Sequence, residues 1–167
     1  QRPLKMVMLR GKVLPEGIYA HCLGASANPR ITITTHFDKE GNVVWYVGGQ
    51  PAEEGVTKSD AAQIKDTKNE LQMPIPWLDF DECEWSTLDI NRAEIKMADG
   101  TRPSESYGLL DNSVITPWPT KMALAPALAD KVETLVKDIT PDVNRDFPSW
   151  ESPEISLLPW QEEKNWN

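Results

Sequence analysis

The sequence is poor in several residue types, and each shortage excludes a class of protein. Its 167 residues include two cysteines and two histidines. Two cysteines are too few for a disulfide framework, and because Cys22 and Cys83 stand far apart, without the spacing of metal ligands, a metal site is not favoured either. No apolar run approaches the ~20 residues that cross a bilayer. The short run at residues 6–9 ends at Arg10 and Lys12, unlike a signal peptide. With 17 Lys and Arg against 26 Asp and Glu, the net charge of −9 opposes binding to nucleic acid.

The composition is otherwise that of a globular protein. Hydrophobic residues make up 40% of the chain and charged residues 26%, which argues against a disordered chain. This length suits one domain and a tail, which we place at residues 1–139 and 140–167. Seven Trp and fourteen Pro stand out. We expect the tail, which is rich in both, to lie on the surface with Trp150 and Trp160 as anchors. The two cysteines are interpreted as buried thiols of a cytoplasmic protein.

Strand patterns dominate the first half of the chain. Short apolar runs predict strands at residues 4–9 and 18–23. The clearest signal comes next, where residues 30–37 alternate Ile and Thr, a turn rich in Asp and Gly follows, and residues 43–48 are β-branched and aromatic. This pattern predicts a β-hairpin. Two further strands are predicted at residues 85–90 and 112–116.

Two segments have apolar residues at helical spacing. A helix is predicted over residues 58–71, with Ser59 as its N-cap. A second is predicted over residues 124–139, with Pro126 in the first turn, where a missing N–H costs nothing. In the tail, Pro148, Pro153 and Pro159 exclude regular elements. The order of elements predicts an α+β fold, with a mixed, mainly antiparallel sheet, a β-hairpin, two main helices and an irregular Pro- and Trp-rich C-terminal tail.

Four segments in order resemble the C-terminal part of one enzyme family. They are residues 2–10, residues 30–49 with Gly55, residues 85–88 (Trp-Ser-Thr-Leu), and residues 112–115 (Asn-Ser-Val-Ile) with Leu-Ala-Pro at residues 124–126. Together they resemble the substrate domain and the closing strand and helix of FAD-dependent oxidoreductases related to D-amino-acid oxidase, glycine oxidase and sarcosine oxidase. The Leu-Ala-Pro helix start is the most specific of the four.

The resemblance implies a fold and a role. In this family an N-terminal dinucleotide fold holds FAD, while a sheet-rich domain covers the flavin and binds an amine substrate. The present sequence has no G-x-G-x-x-G turn, the element that binds the pyrophosphate at a helix N-terminus. Because it also begins at Gln1 with strand-like sequence, we interpret it as a piece of a longer protein. FAD is then expected in the full-length protein, with none stably bound to this chain alone.

The sequence departs from the family at two places. The closing turn, which usually carries His and Gly, here reads Pro-Trp-Pro-Thr-Lys at residues 117–121. Two prolines remove two amide donors, so any flavin contact at this turn differs in kind. The family arginine that follows the Trp-x-x-Leu strand is replaced by Asp89, and Arg92 lies three residues later.

The closing turn supplies the cofactor-binding candidates. The resemblance places Thr120, Lys121 and Trp118 beside the flavin, where the charge of Lys121 could stabilise the reduced, anionic ring. Trp118 could flank either the ring or the substrate. The alternative is structural, with Lys121 in solvent, Thr120 capping the helix and Trp118 buried between the prolines.

The substrate-binding candidates are Arg92, Trp118 and Arg30. Arg92 follows a strand and carries the planar fork that suits a substrate carboxylate. An ion pair with Glu94 or another acid is the alternative for Arg92, and a structural role is favoured for Arg30, which opens the hairpin. No catalytic residue is assigned, because the flavin itself carries the hydride chemistry. No metal site is predicted.

The histidines are not favoured as catalytic residues. His36 alternates with threonines, so we expect a half-exposed strand residue, and we expect His21 to be buried beside its neighbouring cysteine. The spacing does not support a triad of Ser86, His21 and Asp89. The acidic residues 79–84 are interpreted as a solvated loop rather than a calcium site.

The sequence therefore favours a C-terminal piece of an FAD-dependent oxidoreductase that acts on a small amine or hydroxy acid. Its expected partners are a missing N-terminal FAD-binding domain and a small-molecule substrate, with no nucleic acid and no membrane span. The first alternative is a stand-alone α+β binding or interaction domain without catalysis. The second is a small independent enzyme that uses His21 or His36.

Overall fold

The computed structural model describes residues 1–25, 29–95, 97, 104–118, 121–138, 149–162 and 165–167. The fold is α+β with a mainly antiparallel sheet, as predicted. The strands are β1 (Arg2–Arg10), β2 (Tyr19–Leu23), β3 (Pro29–Phe37), β4 (Val43–Gly49), β5 (Glu84–Arg92), β6 (Tyr107–Asp111) and β7 (Val114–Trp118). The α-helices are α1 (Gln50–Glu54), α2 (Asp60–Gln72), α3 (Ala125–Val136) and α4 (Pro159–Glu162), and short 3₁₀ turns occupy Gly55–Thr57, Phe80–Glu82 and Met122–Leu124.

The chain divides into two compact units. The first unit comprises Gln1–Arg92 and Glu154–Asn167, and the second comprises Ala93–Pro153. The first contains a five-stranded sheet in the order β2-β3-β4-β1-β5, and the second contains the two-stranded sheet β6-β7. The domain boundary predicted between residues 139 and 140 lies outside the described residues and stays a prediction.

The five-stranded sheet buries its main core on one face. Alternation along β3 places Ile31 and Ile33 on this face, beside residues of β1, β4 and β5. Trp45 is 0% exposed, meets the ring of Phe80 edge-on at 6.4 Å, and donates its indole N–H to the Pro15 carbonyl at 3.1 Å. A buried tryptophan whose N–H has an acceptor gives this core its largest apolar side chain without an unpaired polar group.

Helix α2 closes the core with a partly polar stripe. Its start is the predicted one, because the Ser59 hydroxyl accepts a hydrogen bond from the Ala62 N–H at 3.3 Å. The buried positions Gln63, Thr67 and Leu71 lie four residues apart, on one side of the helix. The Gln63 amide donates to the backbone oxygens of Lys5 and Pro51 at 3.0 and 2.9 Å. This side chain therefore connects α2 to β1 and α1.

Glycines make the connection from β4 to α2 possible. A Cβ at Gly48 would lie 2.6 Å from the Met6 methyl group, and one at Gly55 would lie 2.3 Å from the Gln63 amide. Gly49 has φ +90° and precedes α1, a backbone conformation that other residues rarely adopt. These close approaches give a physical reason for the glycines of the hairpin exit that carried the family resemblance.

The second unit is a β-hairpin with a helix. Strand β6 was not predicted, and β7 begins at Val114, two residues later than expected, because Asn112 takes φ +52° in the turn. Helix α3 approaches β6 at Gly108, where an added Cβ would lie 3.5 Å from Leu135. Pro126 stands in the first turn of α3, as predicted.

Several predictions about single residues were wrong. His21 is exposed rather than buried, because β2 is an edge strand and His21 lies on its solvent-facing side. Trp150 is 82% exposed, so it is not the buried anchor that the sequence predicts. Pro159 begins α4 instead of excluding a helix, since proline suits a first helical turn. Cys83 is buried, Cys22 is half-buried, and both are free thiols. No helix of the described ranges is long and apolar enough to cross a membrane.

Candidate functional site

The face of the five-stranded sheet opposite the main core, which we call the second face, is the candidate site. Leu4 and Met6 of β1 are buried there with Ala52 of α1. Three partly buried side chains pack around this cluster and form what we call the floor, namely Tyr46, Leu88 and Ile90. The floor is apolar apart from the Tyr46 hydroxyl, and α1 covers only part of it. Apolar surface with a few placed polar groups is typical of sites for small ligands.

One end of the second face is covered by the C-terminal strap, defined as residues 154–162 and 165–167. Trp160 stacks on His36 with ring centroids 3.7 Å apart and planes 18° apart. The Trp166 ring lies 4.6 Å from the guanidinium carbon of Arg10, a cation–π contact. The strap thus follows one end of the sheet from β3 to β1.

The other end of the second face carries two arginines. Arg92 ends β5 and lies opposite Arg2 of β1, whose guanidinium pairs with Glu53 at 2.6 Å. Arg92 is half-buried. Burial raises the pKa of the Tyr46 phenol, and the positive charge of Arg92 opposes that rise in part. Strand register places Arg92 and Tyr46 on the same face, so a cation and a hydroxyl border the floor.

His36 occupies the covered end of this face. Its Nε2 lies 2.8 Å from the Thr34 hydroxyl, and its ring is 6.3 Å from that of Tyr46 in an edge arrangement. Burial lowers the pKa of His36, which favours the neutral ring at neutral pH. The surroundings are those of a packed strand residue that supports Trp160, in agreement with the half-exposed strand residue that the sequence predicts.

Arg30 lies elsewhere on the sheet. Its guanidinium binds both carboxylate oxygens of Glu70 in α2, at 2.5 and 3.0 Å, and this pairing raises the pKa of Arg30. Arg30 also borders an open polar cleft of about 570 Å³ that contains a second ion pair, Lys58 with Asp66 at 2.8 Å. Three strand spacings separate β3 from β5, about 14 Å. The structure therefore does not bring Arg30 and Arg92 into one site.

The flavin-binding candidates belong to the second unit. Trp118 ends β7 opposite Tyr107 and is half-buried. Lys121 is exposed, and its carbonyl accepts the Leu124 N–H at 2.9 Å just before α3. Thr120 lies outside the described residues. Lys121 and Trp118 remain predictions as flavin contacts.

The first turns of α1, α2 and α3, which are candidate sites for an anion, differ in charge. The first turn of α3 contains no acidic residue and follows Lys121, so the positive end of the helix is open to an anionic group. In contrast, the first turns of α1 and α2 contain Glu53 and Asp60, which disfavour phosphate. Among the described residues, no three His, Cys, Asp or Glu side chains are grouped so that they could hold a metal ion.

Sequence reasoning missed two residues of the second face. Tyr46 follows Trp45 in β4, and strict alternation along a strand could have placed it on the face opposite the core. Trp160 was expected as an anchor of the tail, but its contact with His36 joins positions far apart in the sequence. No local pattern signals such a contact.

Comparison with known proteins identifies an FAD-dependent oxidoreductase as a relative. No protein-family model matches the chain. The chain is 39% identical over 164 residues to the Pseudomonas aeruginosa protein named Probable FAD-dependent oxidoreductase PA4991, covering 96% of this chain and 42% of that protein. The crystal structure of FAD-dependent oxidoreductase PA4991 matches with a TM-score of 0.81 and 40% identity, covering 95% of this chain and 44% of that one. The chain spans less than half the length of the relative it matches.

Proposed function

We propose that this chain supplies the substrate-binding sheet and the closing strand and helix of an FAD-dependent oxidoreductase of the D-amino-acid oxidase type. The proposed substrate is a small amine or hydroxy acid. The observation that carries the proposal is the arrangement on the second face, where the strand register places Arg92 and Tyr46 at an apolar floor. Similarity to an FAD-dependent oxidoreductase along 95% of the chain supports the same reading.

The second face suits an acid with a small carbon skeleton. A guanidinium binds a carboxylate through two parallel N–H donors, and the Tyr46 phenol offers a further donor on the same face. The apolar floor then takes the carbon skeleton and keeps water away, which strengthens the pairing of Arg92 with the carboxylate. Arg92, the phenol and the floor would thus orient the substrate, and the cofactor would oxidise it.

The second unit is proposed to meet the flavin. FAD supplies the electron acceptor for substrate oxidation when it is bound. Lys121 and the positive end of α3 suit the negative charge of the reduced ring, and Trp118 offers an apolar side for the ring or the substrate. Thr120, between these two residues in sequence, keeps its predicted role in cofactor binding.

The pyrophosphate and adenosine of FAD are proposed to bind outside this chain. The relative is more than twice as long as the matched segment, and the chain has no glycine-rich phosphate turn. An N-terminal FAD-binding domain is therefore the proposed partner, and this chain alone is expected to retain no FAD. The free thiols of Cys22 and Cys83 support a cytoplasmic location.

The proposal is tested by flavin reduction in the intact protein that contains this chain. A panel of small α-amino and α-hydroxy acids is mixed anaerobically with the protein, and loss of oxidised-flavin absorbance is followed. For the acid that reduces the flavin, Arg92→Met should raise the half-saturating concentration about 10- to 100-fold, because a charge-assisted hydrogen bond to the carboxylate is lost.

Arg30→Met is the matched control for that experiment. It removes the same fork from the same sheet but at a site paired with Glu70, so the half-saturating concentration should change less than about twofold. Equal effects of the two substitutions would contradict the assignment of Arg92. A purified intact protein without flavin absorbance would contradict the proposed function as a whole.

A further inference from the structure

We propose that the C-terminal strap opens as a unit of its own while the five-stranded sheet stays folded, and that Arg10 is the residue that holds the strap closed. This opening is independent of the proposed function, because it requires neither flavin nor substrate. The strap and the sheet both belong to the first unit.

The strap contacts the sheet through an aromatic ring and through its backbone. Trp160 is stacked on His36 of β3, with the ring centroids 3.7 Å apart. At the outer edge of β5, Asn167 and Trp85 exchange two backbone hydrogen bonds of 2.8 and 2.9 Å. The five strands of this sheet all lie between residues 2 and 92, so their pairing does not depend on the strap.

Arg10 of β1 makes a further contact with the strap, and its guanidinium is fixed from two sides. Nε donates to Glu84 of β5 at 2.7 Å, and Nη1 donates to Asp38 at 3.3 Å. Asp38 in turn accepts two backbone N–H groups of the β3–β4 turn, each at 2.9 Å. Because guanidinium N–H bonds lie in the plane of the group, its flat face remains for the Trp166 ring at 4.6 Å. Arg10 thus joins the strap to two parts of the sheet.

Two apolar side chains of the second face lie close to the strap contacts at His36 and Arg10. His36 pairs with Val44, and Val44 pairs with Arg10. Val44 and Met8, which lies on the same side of β1 as Arg10, are both 0% exposed. Opening of the strap brings their apolar surface toward water, and that unfavourable exposure drives the strap back to the closed position.

The segment that leads into these contacts has the features of a part that opens easily. Residues 154–158 are all exposed and lie outside the helices and strands, and Ile155 is 95% exposed. A segment with few buried contacts opens at a lower free energy than the fold as a whole. The strap can therefore leave the sheet while the five strands remain paired.

Hydrogen exchange in the intact protein tests this opening. The backbone amides of Trp85 and Asn167, which pair with each other, report the strap, and the paired amides of β4 report unfolding of the sheet. Mass spectrometry with fragmentation that resolves single amides measures both. In the wild type, the amides of Trp85 and Asn167 should exchange at least about tenfold faster than those of β4, because the strap opens without the sheet.

Two variants test the role of Arg10. Trp166→Ala removes the ring while Arg10 keeps both carboxylates, so exchange at Trp85 and Asn167 should rise about 3- to 30-fold, as for a lost cation–π contact. Arg10→Lys should shift exchange in the same direction, since an ammonium has no flat face and no fork for two carboxylates. Exchange in β4 should stay within about twofold of the wild type in Trp166→Ala.

A matched control removes a tryptophan from the same part of the sequence. Trp150 is 82% exposed, so Trp150→Ala should change the exchange of Trp85 and Asn167 by less than about twofold. Trp166→Ala leaves every strand residue in place and gives a readout even where Arg10→Lys does not fold.

Two results would overturn the proposal. Equal exchange rates for Trp85, Asn167 and β4 in the wild type would mean that the strap opens only when the sheet unfolds. Unchanged exchange at Trp85 and Asn167 in Trp166→Ala would mean that Arg10 does not hold the strap. Either result leaves the proposed function standing, because neither measurement involves flavin or substrate.

Discussion

At the scale of single residues, the two histidines show how the position of a residue in the sheet sets the solvent exposure of its side chain. His21 lies on the solvent side of an edge strand, whereas His36 is partly buried beneath Trp160. The same side chain is therefore hydrated in one place and desolvated in the other. Burial lowers the pKa of His36, because a charged imidazolium loses hydration there.

This difference predicts a pH dependence of stability. The folded state resists protonation of His36, whereas the unfolded chain binds a proton near the ordinary pKa of 6.5. The contribution of His36 to the free energy of unfolding is therefore complete above that pH and falls as the pH drops below it. Urea denaturation at pH 7.5 and 5.5 should show a smaller acid-induced loss for His36→Gln than for the wild type.

His21→Gln is the control for that prediction. It removes a histidine from the exposed side of an edge strand, away from the contact with Trp160. The account of His36 would be wrong if His36→Gln and the wild type lost the same amount.

Residue patterns in the sequence located some of the candidate site and missed the rest for physical reasons. Arg92 could be predicted because it follows a strand that is visible from its own residues. The environment of Arg30 could not, since its partner Glu70 lies on α2, 40 residues away. The environment of Trp160 could not be predicted either, because its stacking partner is on β3. Contacts between distant segments are set by the whole fold and leave no local spacing.

At the scale of elements, the connection from β4 through α1 to α2 depends on Gly55. A methyl group at this position would lie 2.3 Å from the Gln63 amide, and that amide holds two backbone oxygens of β1 and α1. We expect Gly55→Ala to lower the free energy of unfolding by about 1–3 kcal/mol through overpacking. Urea denaturation of the chain measures this loss.

Gly24→Ala is the matched substitution for that test. The nearest atom to a Cβ at Gly24 is 3.7 Å away in Arg30, an ordinary contact, so the free energy of unfolding should change by no more than about 0.5 kcal/mol. Equal losses in the two variants would contradict the role given to the Gly55–Gln63 contact.

Elements with strong local patterns were the predictable ones. The β3–β4 hairpin and α2 follow from alternation and from the Ser59 cap, both of which act within a few residues. Helix α1 was missed because it has only five residues, too few to show a helical period. Strand β6 was missed because its five residues are held by pairing with β7, and pairing is not a property of one segment.

At the scale of the whole molecule, we propose different roles for the two units. The first offers a sheet face with a cation, a phenol and an apolar floor, and the second offers a helix start free of acidic residues near Lys121. Neither contains a glycine-rich phosphate turn. We therefore propose that the chain carries groups that bind and orient a substrate, and that the groups that bind the phosphates of FAD belong to the rest of a longer protein.

The central claim is that a substrate carboxylate binds on the second face at Arg92. The most direct measurement is a crystal structure of the intact flavoprotein soaked with acetate and compared with the acetate-free crystal. We expect acetate oxygens within hydrogen-bond distance of the Arg92 guanidinium, on the face that also presents Tyr46, Leu88 and Ile90. Acetate found only in the polar cleft beside Arg30, with the second face empty or filled by protein, would contradict it.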